Sequence, residues 1–410
     1  MARSLYICYF GLGEPLVQTQ VLPYLRELRK DGHEIALLTF EPAKSRVAGD
    51  YAIEARDRLA ADGIDWHSLR YHKRLSVLAT AFDILCGAIL TRRIIRDKQL
   101  DILHARVHIP ALMAALARKL SQRKPKILFD IRGFMPEEYT DAGIWREDGW
   151  LFRIAKRIER WLLKDADGFV VLTEKARAML FPESLNSGLD ELGRPVEVIP
   201  CCVDLSRFSL ANGNSPTELQ LPTDLKSRFV VAYVGALGGW YLTEQMADFF
   251  GEVKAKRPDA FALVLTQSSS ELILPLLRER GYDDNDLLIA KVPPSEIPSY
   301  LSAADLAVSF IKPCYSKQAS SPTKNAEYLA VGLPIVANGG VGDVERLIND
   351  AGVGAIVAEF SPRGYSEALD TIEGLGEIGE RCRATAHEQF DLGQVAGIRY
   401  RRLYRRILEN

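Results

Sequence analysis

Cysteine, histidine and tryptophan are scarce in this chain, and its charges nearly cancel. Its 410 residues include six cysteines, six histidines and five tryptophans, and 52 basic side chains stand against 54 acidic ones. Six cysteines without metal-ligand spacing exclude a disulfide-dense scaffold and favour reduced thiols in a cytosolic protein. A formal net charge of −2 gives no support for a dedicated nucleic-acid binder.

Long apolar runs are also missing. The longest, from Leu75 to Leu90, is interrupted by Asp83 and is shorter than the roughly 20 residues of a membrane-spanning helix. The chain start, from Met1 to Phe10, predicts a β-strand and lacks the apolar core of a signal peptide. We therefore expect a soluble, cytoplasmic protein.

Strand-like apolar runs alternate with helical patterns along the chain, which predicts parallel α/β domains. The predicted strands are 4–9, 34–39, 102–105, 126–130, 168–172, 229–234, 261–266, 287–291, 306–310, 334–337 and 354–357. A chain of this length exceeds what one core usually supports. We predict an N-terminal Rossmann-like domain over 1–205, a linker over 206–223 and a C-terminal Rossmann-like domain over 224–390. A terminal helix over 391–410 is expected to pack back on the first domain.

A glycine turn follows the first predicted strand. Gly11 and Gly13 would let a ligand approach the backbone, and the helix that follows offers free N–H groups to a phosphate. Because Leu16 stands where a dinucleotide-binding fingerprint requires Gly or Ala, NAD binding is disfavoured. A tight strand-to-helix turn without a ligand is the alternative interpretation.

The segment from Ser320 to Ala337 predicts a nucleotide site. Ser321 suits an N-cap and Pro322 the first helical position, so a helix should begin there with its positive end exposed. Glu327 follows about one and a half turns later and could reach ribose hydroxyls. A capped surface helix with a solvated glutamate is the alternative interpretation.

With these segments the chain resembles glycosyltransferase family 4, the retaining nucleotide-sugar transferases of GT-B fold. The segments that carry the resemblance are Gly11–Pro15, Asp101–Arg106, Phe129–Gly133, Val171–Lys175, Val198–Asp204, Tyr233–Gly239 and the one around Glu327. They extend over nearly the whole chain, and their order and spacing together are specific. The resemblance implies two Rossmann-like domains that face each other across a cleft, with the donor in the C-terminal domain and the acceptor in the N-terminal one.

The resemblance also implies roles for individual residues. Glu327 matches a glutamate that binds the nucleotide ribose, and Gly11, Gly13 and Glu14 match a loop that approaches the diphosphate or the acceptor. Residues 321–325 match the loop that faces the donor sugar and diphosphate. The implied donor-binding residues are Glu327, Ser321, Thr323, Asn325, Gly235, Lys312 and, near the base, Val292.

Three departures from the family pattern concern the donor site. Ala319 stands where the first glutamate of the paired motif would lie, and Ala236 and Tyr241 stand where the family often has Arg and Lys. A leaving diphosphate needs compensating positive charge, so another group should supply it. The candidates are Lys324 first, because it lies in the helix-start loop, then Lys312, Arg106 and Arg132.

Arg106 also replaces the histidine that the family often has at the end of its His-x-His strand. His108 is a candidate substitute, although simple packing in an apolar helix start is the alternative. No metal is expected, because the patterns Asp165–Asp167 and Asp284–Asp286 are better explained as turns. No cofactor is expected beyond the co-substrate, a UDP- or GDP-sugar.

Two stretches that combine basic residues with apolar or aromatic ones can be interpreted in two ways. Arg70–Lys98 and Trp145–Lys164 predict either helices that pack on the sheet or basic helices that lie on an anionic membrane. Packing is the favoured interpretation. A lipid-linked acceptor would place the protein at the inner face of the membrane.

The resulting prediction is a retaining, metal-independent hexosyltransferase. It would move a sugar from a nucleotide-sugar to a hydroxyl of a glycan or lipid-linked acceptor, in cell-surface polysaccharide or glycolipid synthesis. The alternatives are a sugar-nucleotide epimerase of GT-B fold and a catalytically idle sugar-nucleotide-binding protein. No nucleic-acid partner is expected, and the residues indicate nothing about the oligomeric state.

Overall fold

The chain separates into two compact units. The computed structural model describes residues 2–42, 50–72, 76–208, 221–222 and 225–409. One unit is formed by Met1–Pro200 with Leu392–Asn410, and the other by Cys201–Asp391. Residues 209–220 and 223 of the predicted linker lie outside the described residues, as does Leu75 at the start of the apolar run.

The N-terminal unit is a parallel sheet in the order β3-β2-β1-β4-β5-β6-β7. Its strands are β1 (Arg3–Ile7), β2 (Glu34–Pro42), β3 (Ile64–Tyr71), β4 (Ile102–Arg106), β5 (Lys126–Ile131), β6 (Gly168–Val171) and β7 (Val196–Val198). Leu5 of β1 is in register with Ala36 of β2 and Leu103 of β4. Because parallel central strands are covered on both faces, β4 is buried along its whole length.

Helices connect these strands. They are α1 (Pro15–Gln20), α2 (Leu22–Arg29), α3 (Asp50–Ala61), α4 (Ser76–Lys98), α5 (His108–Leu120), α6 (Met135–Asp141), α7 (Trp150–Asp165), α8 (Glu174–Leu180) and α9 (Ser184–Ser187). Across the described ranges, no helix combines the length and the apolarity that crossing a bilayer requires.

The C-terminal unit is a second parallel sheet, in the order β10-β9-β8-β11-β12-β13. Its strands are β8 (Val230–Val234), β9 (Phe261–Leu265), β10 (Leu287–Ala290), β11 (Leu306–Ser309), β12 (Ile335–Asn338) and β13 (Gly354–Val357). Successive side chains of β8 enter two different cores, with Ala232 on one face and Tyr233 on the other. Both faces of this sheet are therefore buried.

The helices of the second unit cover these two faces. They are α10 (Thr243–Lys256), α11 (Leu274–Glu279), α12 (Ile297–Leu301), α13 (Thr323–Val331), α14 (Val344–Ala351), α15 (Pro362–Leu375) and α16 (Gly379–Phe390). The predicted parallel α/β architecture is confirmed in both units. Two strands were not predicted from the sequence. Strand β3 is a half-exposed edge strand with polar outward residues, and β7 has only three residues.

The last helix, α17 (Ile398–Glu409), belongs to the N-terminal unit and follows a π-helical turn over Leu392–Gly397. Two of its tyrosines, one turn apart, reach the buried ends of the central strands. Tyr404 places its hydroxyl 3.0 Å from His104 Nδ1, and Tyr400 donates to Asp130 Oδ2 over 3.1 Å. The end of the chain thus completes the core of the first unit.

We expect Leu403→Ala to destabilise the N-terminal unit by about 2–5 kcal/mol, because Leu403 is fully buried and its loss leaves a cavity. Leu408→Ala on the exposed side of the same helix should change stability by less than about 0.5 kcal/mol. Urea unfolding of both variants measures the difference. Equal effects would show that α17 does not pack as described.

Candidate functional site

The start of α13 lies one residue later than predicted. Pro322 is the N-cap and Thr323 the first helical residue, and no side chain caps the helix. The predicted cap, Ser321, instead accepts a hydrogen bond from the backbone N–H of Cys201 over 3.1 Å. The first N–H groups of α13 therefore keep their capacity for another acceptor, and the helix dipole makes an anion the preferred one.

Lys324, in the first turn of α13, is a buried amine held by aromatic rings. Its Nζ donates to the hydroxyl of Tyr233 over 3.1 Å and lies 4.2 Å from the ring centres of both Tyr233 and Tyr241. Within the described residues no carboxylate lies at ion-pair distance. Burial lowers the pKa of Lys324 to about 7, against the opposing charge of Glu327. The amine can thus exchange a proton near neutral pH and respond to a nearby anion.

A side chain at Gly235 would have to displace the Lys324 amine. A Cβ there would lie 2.7 Å from the Lys324 amine, and the φ angle of +144° also disfavours other residues. On the opposite side, Tyr328 accepts from the backbone N–H of Val234 over 2.8 Å. This bond ties α13 to the end of β8, and the amine is therefore fixed at the carboxyl end of the strand.

Two more predicted residues lie beside Lys324 on α13. Asn325 is buried, and neither polar atom of its side chain has a hydrogen-bond partner in the described structure. A buried amide without partners costs free energy, so this side chain is suited to a polar ligand. Glu327 is partly exposed. Desolvation raises the pKa of Glu327 to about 7, although the charges of Arg207 and Lys324 act in the opposite direction.

The remaining predicted donor residues follow other strands of the same sheet. Val292 follows β10, and its carbonyl accepts from the Gln267 side chain over 3.0 Å. Lys312 follows β11, and its backbone N–H donates to Trp240 over 2.8 Å. Because the carboxyl ends of parallel strands meet at one edge, these residues share the edge that carries Gly235.

Sequence reasoning missed three residues here: Gln267, Tyr233 as a hydrogen-bond partner of Lys324, and Lys317. The Lys317 amine lies 4.0 Å from the ring centre of Trp240. A position directly after a strand could have indicated Gln267. No sequence signal points to the tyrosine contacts, because they join residues about 90 positions apart.

In the N-terminal unit, the glycine turn after β1 is held by Glu41. Its carboxylate accepts from the backbone N–H of Leu12 over 2.9 Å and from the Thr39 hydroxyl over 2.6 Å. A Cβ at Gly11 would lie 2.8 Å from Pro42, so packing within the turn requires a glycine at this position. Gly13, like the neighbouring Glu14, is exposed.

Arg106 and Arg132 surround one buried carboxylate, Asp130. Guanidinium nitrogens lie 4.0 Å and 3.7 Å from its oxygens, and His104 Nε2 lies at 3.5 Å. Although burial acts in the opposite direction, the charges of Arg132, His104 and Arg106 lower the pKa of Asp130 to about 2. Two guanidiniums share this carboxylate, and the cluster therefore carries positive charge at the ends of β4 and β5.

His108 is buried at the start of α5. Its Nε2 lies 3.0 Å from Glu159 Oε2 of α7, and its ring meets the edge of Phe129. His108 is thus held by a carboxylate as well as by an aromatic ring, and its role as a substitute for the family histidine stays a prediction.

The two Asp-x-Asp patterns make ion pairs with basic side chains. Asp165 and Asp167 both contact Arg118, while Asp284 pairs with Arg278. In the parts of the chain that the structure describes, no group of three or more His, Cys, Asp or Glu side chains is arranged to hold a metal.

Comparison with known proteins gives two family matches. The model described as "Glycosyl transferase 4-like domain" matches residues 17–182, and "Glycosyl transferases group 1" matches residues 220–389. The 2-deoxystreptamine glucosyltransferase of Streptomyces kanamyceticus is 26% identical over 194 residues, which are 44% of this chain and 45% of that enzyme. The match spans less than half of this relative's length.

Solved structures share the fold over the whole chain. A glycosyltransferase from Rickettsia africae superposes with a TM-score of 0.71 and 17% identity, covering 100% of this chain and 99% of that one. Sucrose-phosphate synthase from Thermosynechococcus elongatus gives 0.74, 15% identity and full coverage of both chains. HepE from Anabaena, solved with UDP and glucose, gives 0.67 and 15%, covering 99% and 100%. The predicted GT-B fold is confirmed.

We expect Gly235→Ala to destabilise the C-terminal unit by about 1–3 kcal/mol and to displace the Lys324 amine, because it adds a steric clash to backbone strain. Gly238→Ala is a control for a positive φ angle alone, since its φ of +74° imposes a smaller strain than +144° and nothing lies near its added Cβ. Chemical unfolding measures both variants. Equal losses at the two positions would contradict the placement of the amine over Gly235.

Proposed function

We propose that this chain, a glycosyltransferase of the GT-B fold, transfers a sugar from a UDP- or GDP-sugar to an acceptor hydroxyl with retention of the anomeric configuration. The two matching domain families support a glycosyltransferase. The observation that carries the donor assignment is the start of α13, where an uncapped helix end, a buried amine and a glutamate lie within five residues.

The donor diphosphate is proposed to bind at the start of α13. The helix N-terminus attracts negative charge, and Lys324 can take up a proton when an anion arrives, because its pKa is about 7. Glu327 lies three residues further, on the same side of the helix. It would accept hydrogen bonds from the ribose hydroxyls.

Departure of the diphosphate is proposed to proceed without a metal. Negative charge grows on the leaving group as the sugar gains oxocarbenium character, and preorganised positive groups stabilise that charge. Ala236 and Tyr241 supply no charge at the positions where the resemblance leads us to expect Arg and Lys. The Tyr241 ring instead contacts Lys324, so this lysine would provide the charge from α13.

The acceptor is proposed to use the N-terminal unit. The exposed residues Gly13 and Glu14 follow the central strand β1, and the positive cluster of Arg106 and Arg132 lies at the ends of neighbouring strands. A hydroxyl of a glycan or of a lipid-linked sugar would be the nucleophile. Cell-surface polysaccharide or glycolipid synthesis, on the cytoplasmic side of the membrane, is the proposed setting.

We expect UDP or GDP, but not ADP, to stabilise the protein against heat. A nucleotide at 100 times its Kd adds about 2.7 kcal/mol, which corresponds to roughly 5–10 °C in Tm. At pH 8, where the Glu327 carboxyl is ionised, Glu327→Gln should lose most of this shift, because the ribose hydroxyls lose a charged acceptor. Glu388→Gln, at an exposed position of α16 in the same unit, should keep it.

A panel in which no nucleotide raises the Tm, or in which Glu327→Gln responds like the wild type, would contradict the donor site. Incubation with the donor, with and without an acceptor panel, tests the reaction itself. Donor turnover without acceptor would indicate an epimerase, and binding without any transfer would indicate an idle protein. Proton NMR of the product's anomeric centre reports retention or inversion.

A further inference from the structure

Five large apolar side chains of helix α4 are exposed to solvent, although Ile94 and Ile95 near its end are buried. Their exposed fractions lie between 46% and 71%, for Val77, Leu78, Phe82, Leu85 and Ile89. The spacing from Leu78 through Phe82 and Leu85 to Ile89 is four, three and four residues, which places them in one stripe along the helix. A helix that only packs on a sheet turns its apolar side chains toward the sheet and its polar ones toward solvent.

The inner face of α4 prevents this stripe from rotating into the core. Asp83, on that face, is buried and accepts hydrogen bonds from the Tyr9 hydroxyl over 2.7 Å and the His72 backbone N–H over 3.0 Å. Gly87 lies against Met113 of α5 so closely that a Cβ would come within 2.5 Å of the sulfur. The outward orientation is therefore a consequence of specific inner contacts.

The stripe continues into positive charge. Arg92 and Arg96 follow Ile89 at the same spacing, Arg93 lies beside them, and all three arginines are exposed. The neighbouring acidic residue is Asp97, which contacts Arg93 and Arg96 at 3.5 Å and 2.8 Å. One carboxylate leaves the group of three arginines positive, so the face combines an apolar surface with a cationic end.

A second helix of the same layer has a similar surface. Helix α5 packs against both α4 and α7, and the first turns of α7 expose Trp150 and Ile154 next to Arg153 and Arg157. Tryptophan with flanking basic residues is typical of the boundary between lipid headgroups and acyl chains. Exposed apolar side chains next to arginines therefore occur on α7 as well as on α4.

We infer that the outer face of α4, from Val77 to Arg96, binds the surface of an anionic lipid bilayer. Apolar side chains enter the headgroup boundary while the arginines contact lipid phosphates, as in amphipathic helices that lie in the interface. A second copy of this chain fits less well. Two parallel copies of the stripe would bring their arginines, which carry like charges, together. Two antiparallel copies would bury the arginines of each helix against the apolar residues of the other, which removes the arginines from water without a counter-charge.

This inference deepens the proposed function, since it would bring the enzyme to a lipid-linked acceptor, and only that link rests on the proposed transfer. The binding itself can be tested on the whole chain with vesicles. We expect sedimentation with phosphatidylglycerol-containing vesicles at low salt, at least tenfold weaker binding to pure phosphatidylcholine, and weaker binding at 0.5 M NaCl, as charge screening requires.

Two variants and a control identify the face. Phe82→Gln with Leu85→Gln, and separately Arg92→Gln with Arg96→Gln, should each weaken binding to the anionic vesicles about tenfold or more. Leu192→Gln with Leu272→Gln, at exposed apolar positions elsewhere, should have little effect. All the substituted side chains are exposed, so thermal unfolding should show the variants folded like the wild type.

Absence of wild-type binding to anionic vesicles, or equal binding by all variants, would overturn the inference. A wild-type dimer in light scattering that the Phe82→Gln, Leu85→Gln variant loses would also overturn it, because a second copy would then cover the face. Vesicle binding without any nucleotide response would leave this inference standing and contradict the proposed donor site. A nucleotide response without vesicle binding would support the proposed donor site and overturn this inference.

Discussion

The buried amine of Lys324 is the constraint around which the C-terminal site is built. It lies between two tyrosine rings, with a tyrosine hydroxyl as its hydrogen-bond partner and no ion-paired carboxylate in the described structure. Burying an amine without a counter-charge is costly, and the pKa of Lys324 falls to about 7 for that reason. A side chain at Gly235 would displace the amine. An anion at the start of α13 would relieve this cost.

The buried charged groups of the two units differ in their surroundings. In the N-terminal unit, Asp130 is surrounded by Arg106, Arg132 and His104, and α17 adds the hydroxyl of Tyr400. That carboxylate stays ionised because positive groups surround it. In the described residues around Lys324, the opposing charge of Glu327 acts from beyond ion-pair distance, and an anionic ligand can supply a closer one. This difference is why we assign the donor to the C-terminal unit.

Much of the fold could be predicted from sequence, because buried parallel strands are continuous apolar runs between helical patterns. Edge strand β3 was missed because its outward residues are polar. In the site, the α13 segment was recognisable from local chemistry, although the helix begins at Thr323 and Ser321 caps the Cys201 N–H instead. The Tyr233 and Tyr241 contacts to Lys324 depend on sheet topology and have no local signal. Likewise, the composition of α4 does not reveal which face is outside, since buried Asp83 and Gly87 decide it.

We propose that Lys324, whose pKa is about 7, is largely neutral in the free protein at pH 8 and becomes charged when a diphosphate binds. Calorimetric titration of UDP or GDP at pH 8, in buffers of different ionisation enthalpy, measures the protons taken up. We expect an uptake approaching one proton per site in the wild type and in Lys256→Met, a control at an exposed ion pair of the same unit. Lys324→Met should take up almost none. Binding without proton uptake in the wild type, or equal uptake in Lys324→Met, would contradict it.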